Sequence, residues 1–403
     1  MTPQVSSRRA WAALVVLSLT AFAFITTEVL PIGLLTVMAP DLHRSLSQVG
    51  LLVSGYAVVV VVASVPLTRL TGRVPRRGLL GVTLILFAAS NAVAASASTY
   101  AVLAGARLVT ALTQALFWSV VSPAVTGLFP IAVRGRVVAL FSTGAALAPV
   151  LGVPLGTWLG QHAGWPAPFM VMAGAGLATA AAVFVLLPSY PPAAGGAARG
   201  TAPDARSFAM LLTATAVGIA GFLTLQTYIT PFLLDVGDFS KATLAPLLFV
   251  SGVAGVAGTV VVGRSLDTHP IASLLAPLGV GTAALLGLYA LGGLQPVTIA
   301  LLAGIGGPYA AFATGVQSRT LQLAPGSTDL ASAGISTSFN VGIAGGSLLG
   351  GVLLPGQGPR PLALVGGLLT LVALAILAAD ARRRTAGAAP LPGPPATHLR
   401  DTS

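Results

Sequence analysis

Residues 11–40 read WAALVVLSLTAFAFITTEVLPIGLLTVMAP, a stretch whose only charged side chain is that of Glu28. A helix of about 20 apolar residues is long enough to cross a bilayer, so this run predicts a membrane-spanning helix. Glu28 is also the only glutamate of the chain. An acid in a spanning helix is costly to bury and usually faces a polar cavity, where it has a function. Glu28 is therefore the first candidate for a proton-coupling site.

The composition is that of an integral membrane protein. Hydrophobic residues make up 55% of the 403-residue chain and charged residues only 7%, whereas soluble proteins have about 25% charged residues. The formal charge of +11 would suggest nucleic-acid binding in a soluble protein, but here the basic residues collect in alternate loops, as topology signals do. The chain has no cysteine and four widely separated histidines. We therefore predict no nucleic-acid partner, no metal and no cofactor.

The apolar runs predict an all-α integral membrane protein with twelve spanning helices. They cover approximately residues 10–38, 47–70, 78–97, 100–127, 135–160, 167–188, 207–234, 243–264, 270–292, 296–322, 330–354 and 361–380. Two six-helix bundles, residues 1–188 and 207–380, are predicted on either side of a cytoplasmic linker at 189–206. Residues 381–403 are predicted to form a disordered cytoplasmic tail. The start of the chain could instead be a signal peptide, but its apolar run exceeds the usual length of about 7 to 15 residues.

The basic residues predict the orientation of the chain in the membrane. Sixteen of the 20 Lys and Arg residues fall on the side of the N-terminus, three fall on the opposite side, and Arg107 falls within the fourth span. Because cytoplasmic loops collect Lys and Arg, both termini and the linker are predicted to be cytoplasmic. The predicted location is the inner or plasma membrane, which the chain crosses several times.

Small residues recur at every fourth position of the fifth span. Gly144, Gly152 and Gly156 belong to this stripe, and the spacing places them along one face of a helix. The eleventh span has a similar stripe that includes Gly342 and Gly346. Such stripes let helices approach closely in a membrane. Two similar halves with close-packed helices predict a transporter in which one half moves against the other around a central site.

A basic turn follows the second span, and a related turn follows the eighth. Residues 66–77 read PLTRLTGRVPRR, and residues 263–267 read GRSLD. The turns resemble the cytoplasmic gating motif of the major facilitator superfamily, which has a Gly, an Asp and then Gly-Arg-Arg. The resemblance assigns a gating role to Gly72, Arg73, Arg76, Arg77, Gly263, Arg264 and Asp267. Arg69 stands where the superfamily has an acid, and an alternative is that these arginines only mark the topology.

The fifth span resembles the antiporter motif of the drug:proton antiporter families. Residues 144–156 read GAALAPVLGVPLG, and the motif residues are Gly144, Pro149, Gly152, Pro154 and Gly156. Ala148 and Val153 replace two glycines of the motif. Both prolines remove a backbone donor and are expected to bend the helix. A stripe that serves close packing alone is the alternative interpretation.

Four further stretches resemble the arabinose and sugar efflux permease branch, which includes chloramphenicol and nucleoside exporters. They are residues 26–35 (TTEVLPIGLL), 55–57 (GYA), 227–232 (TYITPF) and 338–344 (SFNVGIA). The resemblance implies proton-driven export with Glu28 as the coupling site, and it does not identify the substrate.

Arg107 begins the stretch RLVTALTQ, residues 107–114, which resembles the fourth-helix arginine motif associated with proton coupling in these antiporters. A buried arginine stays charged and needs a partner, and Glu28 is the only acid inside a predicted span rather than at its end. We therefore expect Arg107 and Glu28 to be coupled, directly or through water. The alternative is that Arg107 binds only backbone carbonyls near an interface.

The substrate site is expected between the two halves near the middle of the bilayer. The candidates are Gln114, Gln226, Tyr228 and Asn340, which are polar or aromatic residues within predicted spans. A role in helix packing is the alternative for each of them.

The sequence therefore predicts a transporter, functional as a monomer, that exports a small organic solute such as a sugar or a drug in exchange for protons. A proton–sugar symporter or a facilitator is the alternative, because fold does not set the direction of transport. A membrane-embedded enzyme would need a cluster of acids and histidines, or a nucleophile with its base, and the sequence lacks one. A sensor would need a signalling domain, for which the linker and the tail are too short.

Overall fold

The computed structural model describes residues 7–71, 74–129, 134–188, 202–266, 268–325 and 328–387. Over these ranges the chain forms helices and turns, and no strand. The helices are α1 (Ser7–Asp41), α2 (Leu46–Thr71), α3 (Arg76–Ala95), α4 (Tyr100–Gly127), α5 (Arg134–Leu147), α6 (Val153–Ala163), α7 (Pro166–Leu186), α8 (Ala205–Gln226), α9 (Ile229–Asp235), α10 (Leu244–Gly263), α11 (Ala272–Leu291), α12 (Gln295–Leu323), α13 (Thr328–Gln357) and α14 (Arg360–Gly387). A π-helical turn at Ala148–Gly152 joins α5 to α6, and a 3₁₀ turn at Lys241–Thr243 precedes α10.

Eleven helices in the described part of the chain are long and apolar enough to cross a membrane. The fifth crossing is made by α5, the π-helical turn and α6 in succession, between Arg134 and Ala163. With it, the described chain has the twelve crossings that the sequence predicts. The fifth crossing is interrupted because Pro149 and Pro154 lack the N–H groups that a regular helix needs, and a π turn accommodates the missing bonds.

The helix ends agree with the sequence prediction to within three residues, with one exception. Helix α14 continues to Gly387, so the prediction of a disordered tail from residue 381 is wrong for residues 381–387. Helix α8 already begins at Ala205, within the predicted linker. Residues 189–201 of the linker and 388–403 of the tail lie outside the described residues.

The two halves pack their helices in the same pattern. In the N-terminal half α1 packs on α5 and α6, and α3 packs on α7; in the C-terminal half α8 packs on α13, and α11 packs on α14. The glycine stripes form two of these contacts. Gly144 lies against the Ser18 carbonyl of α1, and Gly346 lies against the Ala220 carbonyl of α8. The fold is therefore a pair of pseudo-symmetric six-helix bundles.

The close packing of α5 on α1 predicts a large effect of a side chain at Gly144. A leucine there would meet the backbone of Ser18, which has no way to move aside, so we expect Gly144→Leu to lower the free energy of unfolding by about 2 kcal/mol or more. Thermal unfolding followed by tryptophan fluorescence in detergent measures the change. The matched control is Gly174→Leu in α7, where nothing lies within 4 Å of the added carbon. Equal melting temperatures for the two variants would contradict the packing described here.

Helix α1 begins and α14 ends on the same side of the bundle, the terminal end; the opposite side is the distal end. At the terminal end of the C-terminal half, Asp204 caps α8 by accepting a hydrogen bond from the Ser207 N–H at 3.0 Å. Asp204 also pairs with Arg383 at 3.3 Å and Arg384 at 3.1 Å. The hydrogen bonds from Ser207, and then those from the two arginines, hold the pKa of Asp204 well below its usual range. The start of α8 is thereby fixed to the end of α14.

At the distal end the two halves meet in a seam formed by Gly50 and Ser54 of α2, Tyr228, and Ser347 and Gly351 of α13. The hydroxyls of Ser54 and Ser347 are 2.6 Å apart and share a hydrogen bond across the halves. The Tyr228 hydroxyl donates to the Ser347 carbonyl at 3.1 Å and lies against Gly50. All three side chains are buried, so this distal seam excludes water between α2 and α13.

Three further contacts join the halves outside the distal seam. Thr230 donates to the Ile32 carbonyl at 3.4 Å, and Gln161 donates to the Lys241 carbonyl at 3.0 Å. The π-helical turn also touches the C-terminal half, because the Pro149 carbonyl lies against Gly252 of α10. Each of these contacts lies between the middle of the helices and the distal end, so the halves are sealed on the side away from the termini.

Candidate functional site

Glu28 lies in α1 and is buried between helices of the N-terminal half. Its carboxylate oxygen Oε2 accepts a hydrogen bond from Gln114 Nε2 of α4 at 2.7 Å. The other end of the Gln114 amide, Oε1, accepts a hydrogen bond from the Tyr56 hydroxyl of α2 at 2.7 Å. Both Gln114 and Tyr56 are buried. The carboxyl is therefore tied by one chain of hydrogen bonds to α4 and α2, and we call Glu28, Gln114, Tyr56 and Arg107 the Glu28 network.

Arg107 completes the Glu28 network without forming an ion pair. Its Nη1 donates to the Thr27 carbonyl at 2.5 Å, and its Nη2 donates to the Glu28 carbonyl at 2.8 Å. The guanidinium carbon also lies 4.5 Å from the centre of the Tyr56 ring, within the range of a cation–π interaction. Arg107 thus binds the backbone of Glu28 and contacts its side-chain carboxylate only through Tyr56 and Gln114. The hydrogen bonds of Arg107 go to backbone carbonyls, as the alternative interpretation expects, and its coupling to the carboxylate of Glu28 stays a prediction.

A proline explains why α1 can offer a carbonyl to Arg107. In a regular helix the Thr27 carbonyl would accept from the N–H four residues later, but that residue is Pro31, which has none. The carbonyl is therefore available, and a buried carbonyl needs a donor. Pro231 has the same relation to Thr227 in the seventh span, and there the helix is interrupted between α8 and α9. In both pseudo-symmetric spans a proline thus leaves one backbone carbonyl without its helical hydrogen bond.

The four predicted substrate residues do not form one cluster. Gln114 uses both ends of its amide within the Glu28 network, and Tyr228 lies in the distal seam. Gln226 and Asn340 each have a buried side-chain oxygen with no hydrogen-bond partner among the described residues. Thr224 of α8 lies level with Gly350 of α13, so Gln226 and Asn340 are separated by about 18 Å along these parallel helices.

The predicted gating residues are only partly described. Arg76 and Arg77 lie in the first turn of α3 and are half-buried, while Gly263 and Arg264 lie at the end of α10 and are exposed. All four are at the terminal end of the bundle. Gly72, Arg73 and Asp267 lie outside the described residues.

The antiporter-motif residues line the contact between the fifth span and α1. Gly152 lies against Thr26 and Gly156 against Leu30, so the stripe runs along the same part of α1 that carries Glu28. The same segment reaches the other half, since Pro149 lies within the π-helical turn that touches Gly252. The stripe therefore packs closely against α1, as the interpretation of a packing stripe expects. It lies next to Glu28, the candidate coupling residue.

Sequence reasoning did not assign Tyr56 or Tyr309 to the site. Tyr56 appears only as part of the GYA stretch, yet its buried side chain connects Arg107 to Gln114. Tyr309 of α12 belongs to none of the motifs, and its ring packs against Phe222 of α8 at about the depth of Glu28. A tyrosine in the middle of an apolar span is the signal that would have found both, because its hydroxyl usually has a hydrogen-bond partner when it is buried.

Comparison with known proteins identifies the family. The family model described as Major Facilitator Superfamily matches residues 16–329, which is more than half of the chain. The chain belongs to the Major Facilitator Superfamily. The resemblance stated from the sequence motifs is thereby confirmed, together with the twelve-helix fold.

Two superfamily relatives are similar over almost their whole length. A protein of Mannheimia succiniciproducens named "Probable sugar efflux transporter" is 34% identical over 363 residues, which cover 89% of this chain and 91% of the relative. A protein of Pasteurella multocida with the same name is 33% identical over 379 residues, which cover 93% of each chain.

Solved structures of the superfamily agree in fold. A bacterial homologue of the human lysosomal transporter Spinster, described as inward-facing and unoccupied, superposes with a TM-score of 0.70 at 15% identity, covering 94% of this chain and 98% of that one. The human organic anion transporter MFSD10 superposes with a TM-score of 0.68 at 18% identity, covering 93% of this chain and all of that one. At these identities the likeness concerns the fold alone. As a member of the Major Facilitator Superfamily, the protein is a multi-pass membrane transporter and not an enzyme.

Proposed function

We propose that this transporter exports sugars from a bacterial cell in exchange for protons, by alternating access across the plasma membrane. The Glu28 network carries the proposal, because it buries one intramembrane carboxyl one helical turn from Ile32, where α1 contacts Thr230 of the other half. The names of the relatives from Mannheimia succiniciproducens and Pasteurella multocida favour sugars as the substrate class.

Protonation of Glu28 would change the hydrogen bonds that its carboxyl group can form, while the hydrogen bond from Gln114 could remain. The carboxylate accepts the hydrogen bond from Gln114 Nε2, whereas a carboxylic acid can also donate one. Arg107 does not neutralise the carboxylate by an ion pair, because its guanidinium is held by the Thr27 and Glu28 carbonyls. The charge of Glu28 is therefore free to respond to a proton. A bound proton shifts the balance between two conformations when their affinities for it differ.

The proposed cycle uses the distal seam as the outer gate. In the proposed orientation, with both termini in the cytoplasm, the sealed distal end faces outward, as in an inward-facing state. A sugar enters from the cytoplasm, the distal seam opens, and protonation of Glu28 from outside favours release of the sugar and return to this state. One chain contains both halves, so a monomer is the proposed functional unit.

The other predicted residues have proposed roles in this cycle. The unpaired oxygens of Gln226 and Asn340 are suited to accept hydrogen bonds from sugar hydroxyls at successive depths of the pathway. The basic turns, including Arg76 and Arg264, are the proposed cytoplasmic gate, and the π-helical turn with Pro149 is the proposed pivot between the halves.

The proposed orientation makes a labelling prediction. The chain has no cysteine, so single cysteines can be placed without further changes. Ser98 is exposed between α3 and α4 at the distal end, and Thr268 is exposed between α10 and α11 at the terminal end. We expect a membrane-impermeant maleimide to label Ser98→Cys in intact cells, and Thr268→Cys only after permeabilisation. The reverse pattern would contradict the cytoplasmic location of the termini.

Everted membrane vesicles test the exporter directly. Their interior corresponds to the outside of the cell, so an acidic interior should drive accumulation of radiolabelled L-arabinose, D-glucose or lactose, and nigericin should abolish it. Chloramphenicol and a nucleoside serve as competing substrate classes. Accumulation in right-side-out vesicles with an acidic exterior would instead establish a symporter, and transport of only the non-sugar compounds would contradict the substrate class.

A further inference from the structure

Tyr309 of α12 packs its ring against a neighbouring helix, and its hydroxyl has no hydrogen-bond partner among the described residues. The ring packs edge-on against Phe222 of α8, with 5.7 Å between the ring centres and an angle of 79° between the planes. The side chain is half-buried, and its hydroxyl forms no hydrogen bond with the described residues. A tyrosine hydroxyl in an apolar interior usually has a partner, so this group is suited to receive one.

Tyr309 and Glu28 lie at the same depth, one in each half of the protein. Helix α12 begins at the distal end with Gln295, and α1 ends there with Asp41. At a rise of about 1.5 Å per residue, Tyr309 and Glu28 each lie about 20 Å from that end. Each half thus contributes one polar group at a common level.

Tyr309 differs from the members of the Glu28 network. Arg107 donates to two backbone carbonyls and lies against the Tyr56 ring, with its buried Nε unpaired among the described residues, and the Tyr56 hydroxyl donates to Gln114. Both belong to the N-terminal half. Tyr309 comes from the C-terminal half, and its hydroxyl has no hydrogen-bond partner among the described residues.

We propose that Tyr309 contacts the substrate and selects sugars in their cyclic form, an inference that rests on the proposed export of sugars. A sugar ring has an apolar face of C–H groups and a rim of hydroxyls. The Tyr309 ring offers an apolar surface for the face, and its hydroxyl offers a hydrogen bond for the rim. A sugar that contacts Tyr309 of the C-terminal half and also touches the N-terminal half joins the two halves, so its binding favours one arrangement of the halves over the other.

Binding measurements on the full-length protein in detergent test the inference, with D-glucose compared with sorbitol, a linear polyol that has no ring face. We expect wild type to prefer glucose. Tyr309→Phe removes one hydrogen bond and should weaken glucose binding by about fivefold. Tyr309→Leu also removes the ring and should weaken it by at least about thirtyfold, with loss of the preference over sorbitol. Tyr309→Trp should restore the preference, and the exposed Tyr289→Phe is the matched control.

The outcomes separate this inference from the proposed function. If wild type binds sugars and Tyr309→Leu binds them equally well with the same preference, Tyr309 does not contact the substrate, although sugar export stands. If Tyr309→Trp binds as weakly as Tyr309→Leu, the role is structural and the inference fails. If wild type binds none of the tested sugars, the proposed function fails and the inference fails with it.

Discussion

Glu28→Gln is expected to reduce sugar transport driven by a pH gradient to the background of protein-free liposomes, while sugar-for-sugar exchange continues close to the wild-type rate. The glutamine side chain has nearly the same shape and keeps an oxygen that can accept the hydrogen bond from Gln114 Nε2. It cannot bind a proton at physiological pH. The network is therefore preserved while the titratable group is lost. Radiolabelled sugar flux with and without an imposed pH gradient measures both quantities in the same preparation.

Asp235→Asn is the matched control for this experiment. Asp235 is also an acid, but it is exposed at the end of α9 near the distal end. We expect this variant to retain both gradient-driven transport and exchange. If Glu28→Gln retained gradient-driven transport, another group would carry the proton. If it lost exchange as well, the carboxyl would be needed for substrate binding or folding.

A disulfide across the distal seam is expected to arrest transport. The hydroxyl oxygens of Ser54 and Ser347 are 2.6 Å apart, which is close to the separation of about 2.05 Å between the sulfur atoms of a disulfide. In the protein with Ser54→Cys and Ser347→Cys, oxidation should lower transport to about a tenth of the reduced rate or less, because the halves can no longer separate at the distal end. A reducing agent should restore it. The absence of native cysteines makes the cross-link specific.

A second cysteine pair controls for oxidation itself. The hydroxyls of Ser90 and Thr110 are 2.9 Å apart, but both belong to the N-terminal half. Cross-linking Ser90→Cys to Thr110→Cys leaves the movement between the halves unconstrained, so transport should continue after oxidation. Transport that survives oxidation of the Ser54–Ser347 pair would show that the distal seam does not open during the cycle.

The sequence predicts the fold well because each crossing leaves a direct signal. Twenty or so apolar residues are required to span the bilayer, whatever their neighbours are, and the glycine stripes at Gly144 and Gly346 indicate which faces approach closely. The continuation of α14 to Gly387 escaped prediction because residues 381–387 include three arginines and a threonine and extend the helix beyond the apolar segment. The π-helical turn also escaped it, since prolines indicate a bend without specifying its geometry.

The sequence identified residues of the candidate site but did not predict the contacts between them. The one acid and the one arginine well inside predicted spans identified Glu28 and Arg107, because isolated charges in apolar segments are conspicuous. Their indirect connection depends on the carbonyl that Pro31 leaves free and on Tyr56 from another helix, neither of which a spacing pattern contains. Tyr228 is a further example, because a residue type does not show which group its side chain contacts. Its hydroxyl suggested a substrate contact, and the structure places it in the distal seam.

Proton movement driven by a sugar gradient in proteoliposomes tests the central claim most directly. Liposomes with a trapped pH-sensitive dye are loaded with sugar and diluted into sugar-free buffer of the same pH. We predict that the interior acidifies as sugar leaves through the wild-type protein, and that it does not acidify with Glu28→Gln. Sugar efflux without any pH change, or an interior that becomes alkaline because protons leave with the sugar, would contradict proton-coupled antiport.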